Sequence, residues 1–268
     1  MVTFANMPKP MKNVLILTDF SEKSVNSLVY VLHLFKNKPK NFYLLHVVND
    51  TTAINNYLNK LIDNNPFSKG HNFYSIQLKT DLIEATKEIV SKNKIDLIVI
   101  GESSSLIKKQ TFRTTALEEV VTKVKCSILS VPSSAKFKGI HKMAFPTDYT
   151  NYYEAKLLSD CELVNNFNKA SMNFLLLSKK SVELNSEQRW NKETLEDYFS
   201  KTPHNFHKVI NKQLAIGLEK FVTENSTDLL IIAAKNINLI EQLVLRPSTS
   251  NVAYMSQIPF LILHQPSF

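Results

Sequence analysis

Glycine is scarce in this chain, with four residues among 268. Average usage of about 7% would give about nineteen. Loops that wrap phosphate groups with main-chain N–H groups depend on glycine, because it allows close backbone approach and positive φ. The scarcity therefore argues against a conventional glycine-rich phosphate loop anywhere in the chain.

Cysteine and long apolar runs are also sparse. The two cysteines, Cys126 and Cys161, lack metal-type spacing, so we expect buried thiols in a reducing cytosol. The sequence has no run of about 18 apolar residues that would span a membrane. The first residues, MVTFANMPKPMKN, lack the apolar core of a secretory signal. We predict a cytoplasmic protein without membrane association, with residues 1–11 as a flexible lead-in and Met7 or Met11 as alternative starts.

Charge and motif content exclude further classes. The net charge is +8, mostly from residues 1–137, but the lysines are scattered, and no arginine-rich or aromatic-interleaved stripe exists. Nucleic-acid binding is therefore not expected. The patterns GxxxxGK[ST], GxSxG, HExxH and CxxC are missing, so neither a catalytic nor a metal site is predicted. His204 and His207, three apart on a strand-like run, should point to opposite faces.

Three motifs occur twice, at an offset of about 130 residues. The segment VLILTDFSEKS from Val14 matches MAFPTDYTNYY from Met143, IDLIVIG matches TDLLIIA, and CSILSVP matches PFLILHQP. A fixed long offset across three motifs indicates a duplicated domain. We predict two tandem domains, 1–137 and 138–268, with the joint at Pro132–Gly139.

Apolar runs alternate with helical patterns in each copy. The runs are rich in Ile, Leu and Val, as in parallel strands covered on both faces. We predict an α/β fold of two Rossmann-like domains, each a doubly wound five-stranded parallel sheet. Strands are expected at 13–18, 42–48, 73–78, 96–101, 126–131, 142–147, 172–178, 205–210, 228–233 and 259–264. Helices are expected at 22–35, 52–63, 80–92, 115–124, 151–165, 187–200, 212–224 and 249–256.

Ligands of such sheets bind beyond the carboxyl ends of the strands, where strand order reverses. Thr18 and Asp19 follow the first strand, and Gly101 ends the fourth, so this pair of loops is the expected ligand crevice. Ser21 is the expected N-cap of the first helix. Trp190 is expected on the inner face of its helix, with core packing as its use.

The order NVLILTDFSEKS, LLHVV, DLIVIG and CSILSVP resembles the universal stress protein family, once per copy and over nearly the whole chain. The resemblance implies an adenine nucleotide α-hydrolase-like fold. Nucleotide-binding members carry G-x2-G-x9-G-[ST] after the fourth strand, an Asp after the first strand and a Val after the second. Single-domain members commonly dimerise through their last strands, which implies that 126–131 and 259–264 pair within this chain as a pseudo-dimer. A homodimer of whole chains stays open.

Carried onto the first copy, the resemblance makes Asp19 and Val47 nucleotide contacts, beside Thr18. The signature positions become Gly101, Ser104, Thr114 and Thr115, so two of the three glycines are replaced. Side chains there occupy space that phosphates would fill. The hydroxyls and lysines of the 102–115 loop still offer groups for an anion.

The second copy departs further from the pattern. Asp148 persists, and the glycine positions become Ala233, Asn236 and, after one inserted residue at Arg246, Pro247, which is followed by Ser248. A proline has no N–H to donate. Asp19 and Asp148 are equally consistent with shaping helix starts, and Gly101 with a tight turn.

Three hypotheses follow from these residues. The first is a non-enzymatic stress-response binding or regulatory module whose nucleotide site is degenerate. The second is an ATP- or AMP-binding protein, with slow hydrolysis as a further option, that uses the first copy. The third is an anion or small-ligand sensor that uses the Ser/Lys loop 102–115.

Overall fold

Ten strands and six helices are defined in the computed structural model, which describes residues 11–47, 62–63, 65–101, 116–154, 157–161, 170–245 and 257–264. The strands are β1 (Asn13–Leu17), β2 (Asn41–Val47), β3 (Asn72–Leu78), β4 (Leu97–Gly101), β5 (Ser127–Val131), β6 (Lys142–Thr147), β7 (Ser171–Ser178), β8 (His204–Ile210), β9 (Leu229–Ala233) and β10 (Phe260–Leu263). The helices are α1 (Glu22–Leu34), α2 (Leu82–Lys92), α3 (Ala116–Lys123), α4 (Ser186–Tyr198), α5 (Leu214–Glu224) and α6 (Ile237–Ile240).

All ten strands belong to one sheet, in the order β3-β2-β1-β4-β5-β10-β9-β6-β7-β8. The first five strands are parallel to one another, and so are the last five. Each half has its chain-order strands arranged 3-2-1-4-5, the predicted doubly wound order. The prediction of two separate five-stranded sheets is corrected, because the halves share one continuous sheet.

The halves meet where β5 and β10 pair antiparallel. Leu129 lies opposite Leu261, with Ser130 opposite Phe260 and Ile128 opposite Ile262. The strand pairing expected between the two halves is therefore present. We call this pairing the seam. It removes the edge that each five-stranded half would otherwise present to solvent.

Both faces of the sheet are covered, because successive strand residues alternate between two apolar clusters. Val14 and Ile16 point into the cluster beneath α1, the 157–161 helical segment and α4. Leu15 and Leu17 point into the cluster beneath α2, α3, α5 and α6. The continuous apolar runs in the sequence follow from this three-layer arrangement. His204 and His207 contact aromatic rings of different clusters, as their spacing predicts.

Local details recur in the two halves. Phe20 and Tyr149, which follow the first strand of each half, have φ of 58° and 57°. Lys94 and Ser226, which precede the fourth strand, have φ of 49° and 52°. Non-glycine residues seldom adopt positive φ, so two matched pairs indicate the same backbone path in each half.

A carboxylate clamp also recurs at the start of the strands. Oδ2 of Asp96 accepts from the N–H groups of Lys12 and Asn13, at 2.7 and 2.9 Å. Oδ2 of Asp228 accepts from those of His141 and Lys142, at 2.8 and 2.9 Å. Each clamp ties the fourth strand of a half to its first.

Every predicted strand boundary is within one residue of the observed one. Ser21 caps α1, since its hydroxyl accepts from the Ser24 N–H. Cys126 and Cys161 are buried and neither forms a disulfide. No helix among the described residues is long and apolar enough to cross a bilayer.

The predicted helix at 151–165 is wrong in part, and the predicted helices at 52–63 and 249–256 are largely untested. Residues 151–154 are not helical, whereas 157–161 are. Helix α6 and the π-helical turn Glu241–Leu245 were not predicted. Trp190 is 55% exposed and stacks on Tyr152 instead of packing into the core. The predicted helix at 249–256 and most of that at 52–63 lie outside the described residues.

Candidate functional site

The carboxyl ends of β1, β2 and β4 form what we call the first mouth. There Asp19 shapes the turn into α1, because its Oδ1 accepts from the N–H and the hydroxyl of Ser21, at 3.0 and 2.6 Å. Ser21 in turn caps the helix. Asp19 thus has the structural role that was one of its two predicted uses, in a turn of Asx type.

Thr18 is buried at the end of β1. Its hydroxyl lies 3.0 Å from the Ser24 hydroxyl and accepts from the N–H of Phe20 at 3.0 Å. This bond supports the positive φ of Phe20. Thr18 therefore ties the end of β1 to the first turn of α1.

His46 and Val47 bring the end of β2 to the same place. His46 Nδ1 lies 2.8 Å from the Thr18 carbonyl oxygen, and its ring meets Phe20 edge-on at 5.2 Å. Val47 is half-buried against the cluster beneath α2 and α3. Thr18, Asp19 and Val47 thus lie at the carboxyl ends of the neighbouring strands β1 and β2, with His46 and Phe20 beside Thr18.

Gly101 ends β4 where α1 crosses it. A Cβ atom on Gly101 would lie 2.9 Å from Ser27 Oγ and 3.2 Å from Ser24 Cα. The glycine therefore permits close packing of helix on strand, a reason independent of any ligand. The predicted site residues Ser104, Thr114 and Thr115, with the rest of the 102–115 loop, lie outside the described residues, as does Ser248.

The carboxyl ends of β6 and β9 form the second mouth, where the same turn recurs. Asp148 Oδ1 accepts from the N–H and the hydroxyl of Thr150, at 3.0 and 2.7 Å. Thr147 Oγ1 accepts from the N–H of Tyr149 at 3.0 Å. Thr147 and Asp148 are thus the counterparts of Thr18 and Asp19 in geometry as well as in sequence.

Asn236, which follows β9, is bonded to the aspartate that follows β6 at this mouth. Its Nδ2 donates to Asp148 Oδ1 at 2.7 Å, and its Oδ1 accepts from the Leu239 N–H at 3.2 Å. The side chain is buried. Asn236 stands where the resemblance places the second signature glycine, so the main chain there is covered by a side chain that binds the mouth's own aspartate.

Two tyrosines and helix α4 complete the closure of the second mouth. Tyr149 and Tyr153 are both buried, and burial raises the pKa of both phenols. From α4, Gln188 Nε2 donates to the Asp148 carbonyl oxygen and Asn191 Nδ2 to that of Tyr149, each at 2.8 Å. Helix α4 therefore holds the main chain of the second mouth, and Asn236 holds the Asp148 side chain.

Most of the residues that close the second mouth were not predicted from the sequence. Asn236 had been singled out only as a lost glycine, and Gln188 and Asn191 not at all. These amides bond to Asp148 and Tyr149, which lie 40 to 88 residues away in the sequence, so no local sequence pattern indicates the contacts. Among the described residues, no cluster of three or more His, Cys, Asp or Glu side chains is arranged to hold a metal ion.

Comparison with known proteins identifies the fold. No protein-family model matches the sequence, and no curated protein matches it significantly. A structure assigned to the universal stress proteins from Pseudomonas aeruginosa UCBPP-PA14 has a TM-score of 0.61 at 13% identity, covering 94% of this chain and 93% of that one. A universal stress protein from Archaeoglobus fulgidus DSM 4304 has a TM-score of 0.60 at 11% identity, covering 95% and 98%.

The same architecture occurs outside that family. The cytoplasmic domain of a prokaryotic cation chloride cotransporter has a TM-score of 0.55 at 10% identity, covering 95% of this chain and 96% of that one. At such identities a likeness establishes the fold and no more. This chain therefore has the fold of the universal stress proteins, and its ligands and partners have to be argued from its own side chains.

Proposed function

We propose that this chain is a non-enzymatic binding and regulatory module of the universal stress protein type, acting in the cytoplasm. It consists of two such domains in tandem, 1–137 and 138–268, and its nucleotide site is degenerate. The observation that carries the proposal is the 2.7 Å contact between Asn236 and Asp148. That contact joins the two elements between which a ligand of this fold binds.

The tandem interpretation rests on paired features in the two halves. Strand order, matched positive-φ residues and matched aspartate clamps support two copies of one domain. In this arrangement the seam takes the place of the dimer contact that single-domain relatives make through their last strands. The chain is then an intrachain pseudo-dimer.

The second mouth shows how a phosphate seat is lost. A nucleotide there would have to displace the buried Asn236 amide from Asp148 and from the Leu239 N–H, and leave that amide and that N–H without these partners. An unpartnered buried polar group costs about 1–3 kcal/mol. In the first half the sequence replaces the signature glycines at 104 and 114 with Ser and Thr, and we infer that these side chains take up space that phosphates would need.

The alternative is an ATP or AMP site at the first mouth. Its support is the set Thr18, Asp19 and Val47, which the structure gathers at the ends of β1 and β2. An anion site on the 102–115 loop is the remaining candidate.

Titration of the whole chain with Mg·ATP, AMP and inorganic phosphate separates these cases. The His46 imidazole resonance reports on the first mouth, because its ring lies against Phe20 and Thr18. Fluorescence of Trp190, the one tryptophan in the sequence, reports on the closed side of the second mouth. A ligand at 100 times its Kd should add about 2.7 kcal/mol of stability.

The proposal predicts that millimolar Mg·ATP and AMP change neither signal and leave the unfolding temperature unchanged. A His46 shift that saturates, with stabilisation, would instead establish the nucleotide alternative at the first mouth. Stabilisation by phosphate without stabilisation by ATP would favour the anion site. A change in Trp190 emission with ATP would contradict the closure of the second mouth.

A further inference from the structure

A cleft of about 460 Å³ lies away from both mouths. Its walls come from the end of α1, from the single 3₁₀ turn Pro66–Ser68 that precedes β3, and from the segment Phe137–His141 that leads into β6. Small-molecule sites in proteins occupy about 300–1,000 Å³. The cleft is therefore large enough to hold a small ligand between the first half and the start of the second.

The polar lining of this cleft is basic. Lys36 contributes from the end of α1, and Lys138 and His141 from the segment before β6. None of its described lining residues is acidic. Asp228 is the carboxylate beside this segment, and its Oδ2 is already bonded to the N–H groups of His141 and Lys142, so the lysines of the lining leave the cleft with a positive charge that attracts an anion.

The end of α1 does not by itself explain these cations. A helix C-terminus carries partial negative charge and favours a nearby lysine. Here the Val31 carbonyl already accepts from the Phe35 N–H at 2.9 Å, and the Phe35 carbonyl from that of Lys38 at 2.8 Å. Lys138 and His141 belong to a different segment, so the partial charge at the end of α1 does not account for their place in the lining.

Aromatic rings form the rest of the lining. His33 meets Phe67 edge-on at 4.4 Å, and the Phe137 ring lies 6.1 Å from His33. Burial lowers the pKa of His33 and nearby Lys36 lowers it further, so this ring is neutral near pH 7. The half-buried rings of Phe67 and Phe137 offer apolar surface to a flat ligand.

The walls are held in place before any ligand arrives. Asn26 Nδ2 donates to the carbonyl oxygens of Pro132 and Ala135, at 3.1 and 2.9 Å. Tyr30 packs edge-on against Phe137 at 5.2 Å. The turn into β6 uses Gly139 at φ +97°, where a Cβ would lie 2.8 Å from His141 Nε2. Preformed walls reduce the entropy lost on binding.

From this arrangement we infer that the cleft binds a small organic anion with a flat aromatic body. Lys36, Lys138 and His141 take the carboxylate or phosphate group, and Phe67 and Phe137 take the ring. The site does not depend on the proposed function. It lies one helix length from the first mouth, and the 13 residues of α1 span about 20 Å.

The test uses the full chain, with indole-3-carboxylate as the anionic probe and indole-3-carboxamide as its neutral match. Imidazole resonances locate binding, because His33 and His141 line the cleft whereas His46 lies at the first mouth. We expect saturable shifts of His33 and His141 with the carboxylate, a constant His46 signal, and weaker binding of the carboxamide by about tenfold.

Matched lysine variants then test the charges. Lys36→Gln with Lys138→Gln removes the two cleft lysines, and Lys38→Gln with Lys136→Gln removes two exposed lysines outside the lining. The first pair should weaken indole-3-carboxylate by about tenfold or more, and the second pair by less than about twofold. Unfolding temperatures of both variants establish that they are folded.

Four outcomes would overturn the inference. They are equal affinity for the carboxamide, equal affinity in the two lysine variants, shifts confined to His46, and no saturable shift at millimolar probe. Inorganic phosphate that binds as tightly as the aromatic anion would overturn the role of the rings. A nucleotide that moves His46 alone bears on the proposed function and leaves the cleft untouched.

Discussion

The hydroxyl of Tyr153 lies 2.9 Å from Thr147 Oγ1, in the place where the first half has Ser24 at 3.0 Å from Thr18. The threonine at the end of the first strand is thus tied to the following segment in both halves, by a short side chain in one and a long aromatic one in the other. The ring of Tyr153 also packs edge-on against Phe145 at 5.3 Å. The hydrogen bond to the strand-end threonine is thus kept in the second half, where the Tyr153 ring also occupies space that the small Ser24 side chain does not.

Removal of this hydroxyl should destabilise the protein. Tyr153→Phe leaves the ring in place and removes one of the two hydrogen bonds of the buried Thr147 hydroxyl, which should cost about 1–2 kcal/mol. Chemical denaturation measures the loss. Tyr152→Phe is the control, since Tyr152 is 44% exposed and its change should be within about 0.5 kcal/mol. Equal effects in the two variants would contradict the role of the Thr147 contact.

The Asn236 side chain should contribute stability in the same way. Asn236→Ala removes the bonds to Asp148 and to the Leu239 N–H, and we expect a loss of about 2–3 kcal/mol. Asn238→Ala, at an exposed position two residues on, should change little. Thermal unfolding of both variants is the measurement. A cost for Asn236→Ala no larger than for Asn238→Ala would show that the closure is not stabilising.

Gly101→Ala should cost about 1–3 kcal/mol by overpacking, because the new methyl meets Ser27 and the backbone of Ser24. Adding Ser27→Ala removes the nearer atom, Oγ at 2.9 Å, and should recover part of the loss. Urea midpoints of the single and double variants measure this coupling. If the losses of stability of the two single variants simply add in the double variant, the strain does not arise from contact between the new methyl and Ser27.

Stability should fall as the pH is lowered from about 7.5 to 5. Burial lowers the pKa of His264, and Lys125 lowers it further; burial also lowers the pKa values of His33 and His71. A histidine with a lowered folded pKa contributes its stability above the unfolded value of about 6.5, and the contribution is lost as pH falls below that value.

His264 isolates this effect, because its buried Nε2 has no hydrogen-bond partner in the described part of the chain. His264→Leu should reduce the slope of unfolding free energy against pH between about 7 and 5. Denaturation at several pH values is the measurement. An unchanged slope would assign the pH dependence to other groups.

The domain boundary is tested by expressing 1–137 and 138–268 separately. Each fragment would expose one strand of the seam, β5 or β10, as an unpaired edge. We expect each to self-associate alone and the two to form a 1:1 complex when mixed, as measured by light scattering. If both fragments stay monomeric and form no complex when mixed, the seam is not a stabilising contact.

Local pattern was sufficient to predict the strands, since apolar runs such as LIVIG and LLIIA fill both faces of a covered sheet. It was sufficient for the Asp19–Ser21 turn, because cap chemistry acts within a few residues. Helix α6 was missed because its segment had been aligned with a phosphate loop, although Asn236 and the apolar Leu239 and Leu243 indicate a capped helix.

Contacts between distant segments could not be predicted. The bond between Asn236 and Asp148 joins residues 88 apart, and the cleft joins α1 to a segment about a hundred residues later. Trp190 was misplaced for a related reason: helical spacing shows which residues share a face, but the partner that covers that face comes from elsewhere in the chain.

Because β5 and β10 run antiparallel, the strands of the two halves point in opposite directions. The carboxyl ends of the strands, and with them the two mouths, therefore face opposite ways along the strand direction. Two identical subunits would be obliged to carry the same residues at both ends. A single chain has no such constraint, and its two ends differ, with Ser24 in one where the other has Tyr153, and Gly101 where the other has Ala233. The two ends of the sheet can therefore differ in how far side chains close them.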